Sequence, residues 1–584
     1  MNFNAIYHRS ALTDCYALNN DDVVINIRTG KDISSVTLIH EDPYAHGISG
    51  DIHWIGKRLP MTLRRELKHS YIWTATVRPE YKRLQYYFEL SDGAETVLML
   101  EDDFYTEESL QKPGRLKQYF KFAFLNSADV ITPPDWVGDT IWYQIMPDRF
   151  CRGDNAPKRM PLKEWNDRET VSGGDFYGGD LRGIIQKLPY LAELGITGIY
   201  LLPIFLSNTN HKYNTFDYEQ IDPDFGTEDD VIELVKTAHQ LGIRVMLDAV
   251  FNHSGTEFFA WKDVWEKGEQ SPYFDWFCIN EIPFSRKRAS LRDGRFYGFA
   301  FLDNMPKLNT NHPDVIRYCV DRCKYWVQKW KIDGIRFDVG NEVSHRFLKT
   351  VNREIKSINH DVFLLGEIWM DSVIWLQGDE YDSVMNYPFF ESLQNFWVDE
   401  SASSRDLMYA LERCLSLYPE QVNRCIFNFL DTHDTMRALN RCGSMDVLYQ
   451  QLAVLMTTPG SPCVYYGTEI AMPGGHDPDC RRTMPWDEIA DGRHDAAIRQ
   501  LKELIALRKN YPPSRAHLIR WHHDEHLPRL VCYDLLTTNG VLRVRLNATT
   551  EAITLENEEI TRYSRGLDGH TLHSGGILIT SIPD

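Results

Sequence analysis

The stretch GIRFDVGNEV, Gly334 to Val343, runs from a short apolar segment straight into an acidic side chain, Asp338. Three other segments repeat the arrangement: LDAVFNH (Leu247 to His253), GEIW (Gly366 to Trp369) and FLDTHDT (Phe429 to Thr435). Each reads as a strand with acids or imidazoles at its end, and a barrel of parallel strands gathers such ends at one mouth. Within GIRFD the two-residue period of a strand puts Arg336 and Asp338 on the same side. The guanidinium is therefore expected to hold the Asp338 carboxylate ionised, as a nucleophile requires.

Working outward, short apolar runs alternate with helical periodicity from Ile141 onward, the signature of strand–helix–strand units. The candidate strands are Ile141 to Pro147, Gly198 to Ile204, Arg244 to Phe251, Gly334 to Asp338, Val362 to Ile368, Ser383 to Tyr387, Cys425 to Asp431 and Pro462 to Gly467. Helices are predicted over Gly183 to Leu194, Glu228 to Leu241, Pro313 to Trp330 and His345 to Ile358, with a last one near Ala496 to Asn510. Eight such units point to an α/β fold of the TIM (β/α)8 type rather than an open doubly wound sheet. The barrel is predicted over residues 127–252 and 313–510. Between them, residues 253–312 are mostly non-periodic and read as an inserted loop domain after strand 3, a place where insertions form lids or substrate walls.

Both flanks read as β-structure. Residues 1–126 hold β-branched and aromatic runs at Val23 to Thr29, Val36 to His40, Tyr71 to Arg78, Leu84 to Leu90 and Thr96 to Leu100, giving an N-terminal β-sandwich closed by a proline-bearing linker from Ser127 to Gly138. Residues 511–584 return to strand alternation, as in Leu542 to Leu546 and Gly576 to Thr580, and read as a C-terminal β-sandwich.

Composition narrows the function classes. A net charge of −20 on 584 residues repels nucleic acid and anionic membranes alike, so a neutral ligand fits better. The eleven cysteines show no Cys-x-x-Cys pair or zinc spacing, the N-terminus lacks an apolar secretory core, and no stretch is long enough to span a bilayer. A reduced, cytoplasmic setting is expected.

The acids have separable chemistry. Glu367 follows the apolar run Val362 to Leu365, so poor solvation and neighbouring carboxylates disfavour its charged form and suit it to proton donation. Asp248 with His253 ends one strand and His433 with Asp434 another; neutral imidazoles and carboxylates are good partners for sugar hydroxyls.

With these segments in view, the chain resembles the α-amylase superfamily of retaining glycoside hydrolases, and within it the neopullulanase, cyclomaltodextrinase and maltogenic amylase group. The resemblance is carried by YQIMPDRF (Tyr143 to Phe150), YGGDLRGI (Tyr177 to Ile184), HKYNTFDY (His211 to Tyr218), MPKLN (Met305 to Asn309), Asn341-Glu342-Val343 and DPDCRR (Asp477 to Arg482). It implies that Asp338 is the nucleophile, Glu367 the acid/base and Asp434 the residue that binds and distorts the reacting sugar. It further implies that Arg336, His253, Asp248 and His433 hold hydroxyls or the nucleophile and that Tyr213 stacks on the ring. Asp477 and Arg481 match positions for the next sugar on the non-reducing side, and Trp369, Tyr387 and Phe299 resemble residues on the leaving-group side.

The implied activity is hydrolysis of α-1,4-glucosidic bonds in cyclodextrins, maltodextrins and pullulan, with some transglycosylation. A maltogenic amylase or maltodextrin glucosidase is the alternative, and a non-catalytic glucan-binding relative a remote one. The group's N-terminal domain implies a homodimer. No cofactor is expected to be required. Relatives often bind calcium, for which Asp154, Gly178 and Asp180 are candidates here, but Arg152 and Lys158 bring positive charge to the segment and argue against occupancy. Asn214 stands where Asp is more usual.

Overall fold

A computed structural model describes residues 1–47, 54–112, 117–153, 158–167, 170–281, 290–515, 518–555 and 559–582. The chain forms two compact units. One comprises Met1–Thr132 with Asp371–Gly378 and Arg405–Asn423, the other Pro133–Met370, Asp379–Ser404 and Arg424–Asp584.

The first unit is a β-sandwich of two antiparallel sheets. In Val23–Thr29 the alternate residues Val23, Ile25 and Ile27 are fully buried, and they meet Leu38, Tyr86 and Phe88 of the facing sheet. That alternation is what an antiparallel sheet with one face on a core requires. Two later segments complete this unit: Arg65 Nη1 pairs with Glu412 Oε2 at 2.7 Å, and Gln421 donates to the Ala17 carbonyl.

The second unit contains eight parallel strands: β1 (Trp142–Ile145), β2 (Gly198–Leu201), β3 (Arg244–Ala249), β4 (Gly334–Phe337), β5 (Phe363–Gly366), β6 (Ser383–Val384), β7 (Phe427–Phe429) and β8 (Ser461–Tyr465). They pair in the order β6-β5-β4-β3-β2-β1-β8-β7, and a parallel bridge between Met385 and Phe427 joins the two ends into a barrel. Strands such as Gly198–Leu201 and Gly334–Phe337 are buried at every residue, as expected when helices cover the outside and side chains fill the inside. Trp142, Tyr200, Phe363, Leu365, Phe427 and Phe429 share one core cluster, with the Trp142 and Phe363 rings stacked 6.1 Å apart. Truncating Trp142 to Ala is expected to cost about 3–5 kcal/mol.

Local signals set the helix limits. Asp180 caps α1 (Leu181–Leu194) by accepting from Gly183 N, and Gly195 closes it at φ 99°, a conformation that suits glycine. Thr227 and Asp230 form a capping box at α2 (Glu228–Gln240). The helix predicted to run to Trp330 instead stops as α3 (Pro313–Tyr325) and continues as a π-helical turn at Trp326–Trp330, which stacks both tryptophans and Phe205. The sixth strand is shorter than predicted: Asn386 accepts from Phe389 N, so Tyr387 begins a helix instead of ending a strand. The described part of the insertion is also less irregular than its sequence suggests, since Phe259–Lys267 is helical with Ala260, Trp261 and Val264 buried. At nine residues, that apolar periodicity is too short to stand out from polar neighbours.

The C-terminal β-sandwich uses six antiparallel strands, with Gly540–Asn547 and Thr571–Ile582 central. Val531, Tyr533, Leu535, Leu542, Val544 and Leu546 are buried there at two-residue intervals. Among the described residues, no helix is long and apolar enough to cross a membrane.

Candidate active site

Asp248 on β3 and Arg336 on β4 are partners across the parallel ladder, so their side chains emerge side by side. Arg336 Nη1 donates to both oxygens of Asp248, at 3.0 and 2.9 Å, and to Asp338 Oδ1 at 2.9 Å, while its Nη2 lies 2.8 Å from Glu367 Oε2. One buried cation therefore serves three buried carboxylates from three successive strand ends. Burial opposes the charge on Arg336, but Asp248 and Glu367 outweigh it and keep the guanidinium protonated.

The same balance of burial and charge acts on Asp338. Burial pushes its carboxyl well above the usual carboxylate range; Arg336 pulls it down, but Glu367 and Asp248 oppose that pull. Asp248 is pushed up to about 6, again by burial against Arg336. A guanidinium shared among three acids cannot neutralise all of them, so the cluster retains a proton.

The imidazoles are neutral. Burial lowers His433 well below its ordinary value, reinforced by Arg481 and Arg336, and holds His253 and His211 down to about 3. His433 Nε2 lies 2.7 Å from the Tyr213 hydroxyl, which donates to Asp248 Oδ2 at 3.0 Å, and Gln144 Nε2 sits 2.9 Å from His433 Nδ1. The set is self-consistent with Nε2 carrying the proton: Gln144 donates to Nδ1, Nε2–H donates to Tyr213, and Tyr213 donates to Asp248. Tyr200 adds a second hydroxyl to Asp248 Oδ2 at 2.6 Å.

Above this network lies a cavity of about 400 Å³, lined by Asp338, Glu367, Asp434, His433, His253 and Tyr213, together with Asp477, Arg481, Trp369 and Phe299. The three central carboxylates thus share one cleft. Arg481 bonds Asp434 Oδ1 at 3.2 Å and pairs with Asp477 Oδ1 at 3.1 Å, tying the segment after β8 to the loop after β7. Trp369 is half-exposed, stacks on Tyr387 at 3.9 Å, and points Nε1 at Glu367 Oε1, 3.3 Å away. Phe299 stacks on His253 at 5.2 Å, and among the described residues the buried His253 Nε2 has no partner within hydrogen-bond geometry.

Three sequence-predicted residues sit behind the wall. Arg336, Asp248 and Tyr387 are at most 1% exposed and do not line the cavity. They act through what they hold: Arg336 and Asp248 orient the acids, and Tyr387 supports Trp369 and places its hydroxyl 3.4 Å from Glu367 Oε1. Conversely, His211, Met305, Val339 and Asn341 line the cleft without having been singled out. Each falls in or beside a segment that carried the resemblance, but position in a motif does not reveal which side chains face a cavity. Asn214, in the same segment as His211, donates to the Asn304 carbonyl, and its Oδ1 is buried with no partner among the described residues.

The calcium candidates do not form a ligand set. Asp154 lies outside the described residues. Asp180 spends one oxygen on Gly153 N and Gly183 N, and the other meets the Lys158 ammonium at 2.7 Å; that ammonium also donates to the Asp224 carbonyl. An ammonium in van der Waals contact with the only described acidic candidate does not suit a divalent cation. Gly178 donates its amide to Asp148.

The description "Alpha amylase, catalytic domain" matches residues 144–512, and "Alpha amylase, N-terminal ig-like domain" matches residues 1–126. The chain is 42% identical over 556 residues to a cyclomaltodextrinase of Geobacillus thermopakistaniensis (strain MAS1), covering 94% of this chain and 92% of that protein. It is 41% identical over 517 residues to an intracellular maltogenic amylase of Bacillus subtilis, covering 87% and 84% respectively. A solved structure titled cyclomaltodextrinase superimposes over 100% of both chains with a TM-score of 0.90 at 35% identity.

Proposed function

The chain belongs to the α-amylase superfamily of glycoside hydrolases, close to the cyclomaltodextrinase, neopullulanase and maltogenic amylase group, and on that footing we propose that it hydrolyses α-1,4-glucosidic bonds with retention. The observation that supports this most is the convergence of Asp338, Glu367 and Asp434 on one cavity, the first two flanking Arg336. Asp338 attacks the anomeric carbon to form a glycosyl-enzyme, and Glu367 protonates the departing oxygen and then activates water. Asp434, steadied by Arg481, grips the hydroxyls of the distorted sugar. Neutral His253 and His433 add hydrogen bonds that tighten as the ring flattens. Tyr213 supplies the ring face for stacking, Asp477 and Arg481 hold the next sugar, and Trp369 with Phe299 carries the leaving side.

Cyclodextrins and maltodextrins are the proposed substrates, with pullulan third. A sugar hydroxyl can replace water at the intermediate, so transglycosylation accompanies hydrolysis. The names of the two relatives support this range and do not separate a cyclomaltodextrinase from a maltogenic amylase. A non-catalytic role is disfavoured because all three carboxylates are present. Parallel incubation with β-cyclodextrin, pullulan, starch and maltotriose, with the product anomer read by NMR, tests the reading. Rapid cyclodextrin loss, panose from pullulan and α-anomers support it, while single glucose units from maltodextrin ends favour a maltodextrin glucosidase and β-anomers refute retention.

We propose further that calcium is not required, since Lys158 neutralises Asp180. A cytoplasmic setting is supported by eleven free thiols and by the intracellular relative. Homodimerisation through residues 1–126 is supported by the family match of that domain. Its deletion should yield a monomer with weakened preference for cyclodextrin over starch; unchanged oligomeric state and preference would refute the proposal.

A further inference from the structure

We propose that Val339 is a positioning residue whose backbone amide decides which oxygen of Glu367 carries the catalytic proton; this deepens the reading of Glu367 as the acid and rests on it. Val339 follows the nucleophile directly and has φ 47°. A β-branched residue in the left-handed region is a genuine outlier, because its Cβ crowds the backbone. Such strain persists only where the surroundings over-determine it. Here they do. Asp338 N donates to the Ala249 carbonyl, Gly340 N to the Glu367 carbonyl, Glu367 N to the Phe337 carbonyl, and the Tyr381 hydroxyl to the Gly340 carbonyl. A side chain at Gly340 would meet Tyr381 Oη at 2.8 Å, so the turn is held close against the end of β5.

What the strained residue gains is direction. Its N–H does not join the ladder; it donates to Glu367 Oε2 at 3.0 Å. The same oxygen faces Arg336 Nη2 at 2.8 Å. Neither group can accept a hydrogen bond, so a proton on Oε2 would displace the Val339 donor or sit against the guanidinium charge, and both are unfavourable. The other oxygen differs: among the described residues Oε1 has only longer contacts, to Trp369 Nε1 at 3.3 Å and to the Tyr387 hydroxyl at 3.4 Å, and that hydroxyl can rotate to accept. Glu367 lines the cleft. Oε1 is therefore the proton-bearing oxygen.

The step balances on these atoms. The bond from the anomeric carbon to the glycosidic oxygen breaks and its electron pair stays on that oxygen, which takes the Oε1 proton. Asp338 forms the new bond to the anomeric carbon. One negative charge leaves Asp338 and one appears on Glu367, where Oε2 shares it with the waiting Val339 N–H and Arg336. The amide thus binds charge that exists only once the proton has moved.

The test replaces the amide of residue 339 with an ester, by translation with 2-hydroxyisovaleric acid, keeping the side chain and removing only the N–H. Turnover of maltotriose, a poor leaving-group substrate, is expected to fall on the order of 10²-fold with KM little changed. Turnover of α-maltosyl fluoride, whose fluoride leaves with little acid assistance, should change less than about threefold. An equal loss on both substrates, or no loss on either, overturns the proposal. Val339→Gly offers a second arm, because it keeps the N–H and tolerates the positive φ; its ratio of maltotriose to fluoride turnover should stay within about threefold of the parent's, and a collapse of that ratio overturns the proposal as well. Glu367→Gln separates the two levels. If it leaves maltotriose turnover intact, the acid assignment itself is lost; if it shows the selective defect and the ester does not, only the role of Val339 falls.

Discussion

Replacing Arg336 by Met tests the charge-sharing at the base of the cleft. The substitution keeps an unbranched side chain of similar length but removes the only cation among the described residues that pairs with Asp248, Asp338 and Glu367, in a place with no exposure to water. Removing one partner of a buried ion pair costs about 3–5 kcal/mol, because the remaining charges are uncompensated. In a unit of this size that corresponds to a fall in Tm of roughly 3–6 °C. The loss depends on pH with a definite sign. Asp248 and Asp338 already sit above their unfolded values, and without Arg336 they rise further, so the folded variant binds more protons than the unfolded chain. Its stability therefore falls as pH rises, and the deficit relative to the parent should widen from pH 5 to pH 8 by up to about 1.4 kcal/mol per pH unit for each additional proton held. Turnover collapses with it, since each unit by which the Asp338 carboxyl exceeds the assay pH removes tenfold of the nucleophile. Arg336→Lys should recover little, because a point charge cannot reach three carboxylates as a planar fork does. Thermal melts at pH 5 and 8 with parallel turnover measurements decide the matter. A deficit that is equal at both pH values, with turnover within tenfold of the parent, would refute the account.

Three further outcomes follow from the same geometry. Tyr213→Phe keeps the ring but removes the hydroxyl that links His433 Nε2 to Asp248, leaving Nε2–H with Asp434 Oδ2 at 3.2 Å and taking one bond from Asp248; a cost of about 1–3 kcal/mol should appear as roughly 5- to 150-fold in kcat/KM, and a change under twofold would mean that the hydroxyl relay does not matter. His253 is held neutral down to about pH 3, so the unfolded chain binds the extra proton between about pH 3 and 6.5 and stability rises with pH there. His253→Gln should therefore flatten the acid limb of Tm against pH by about one proton, and an unchanged slope would contradict the burial argument. EDTA should leave Tm unmoved while Lys158→Met lowers it by strippping Asp180 of its partner; recovery of that variant by added calcium would show that the site accepts a metal after all.

Much of the catalytic end was legible because its cues are local. An apolar run of four or five residues ending in an acid marks a strand end wherever it occurs, and GIRFD, GEIW and FLDTHDT carry that mark without reference to anything distant. Arg336 beside Asp338 could be read from the strand period alone. The helix limits at Asp180, Thr227 and Gly195 likewise lie in capping chemistry within a few residues. Tyr387 was misplaced for the opposite reason: Asn386 both ends a two-residue strand and caps the next helix, and so short a strand leaves no periodicity to find.

The sequence by itself determined the order of strands and helices and the β-structure of both flanks, because each depends on neighbours a few residues away, while the roles expected of Asp338, Glu367 and Asp434 came from the resemblance. Only the tertiary structure decided that one guanidinium serves three carboxylates, that Arg336, Asp248 and Tyr387 stand behind the cleft wall while His211, Met305 and Asn341 face it, and that Val339 is forced into a left-handed turn. Those outcomes depend on which side chains from distant strands compete for the same few ångströms, and on charges whose balance exists only after burial has removed the water between them.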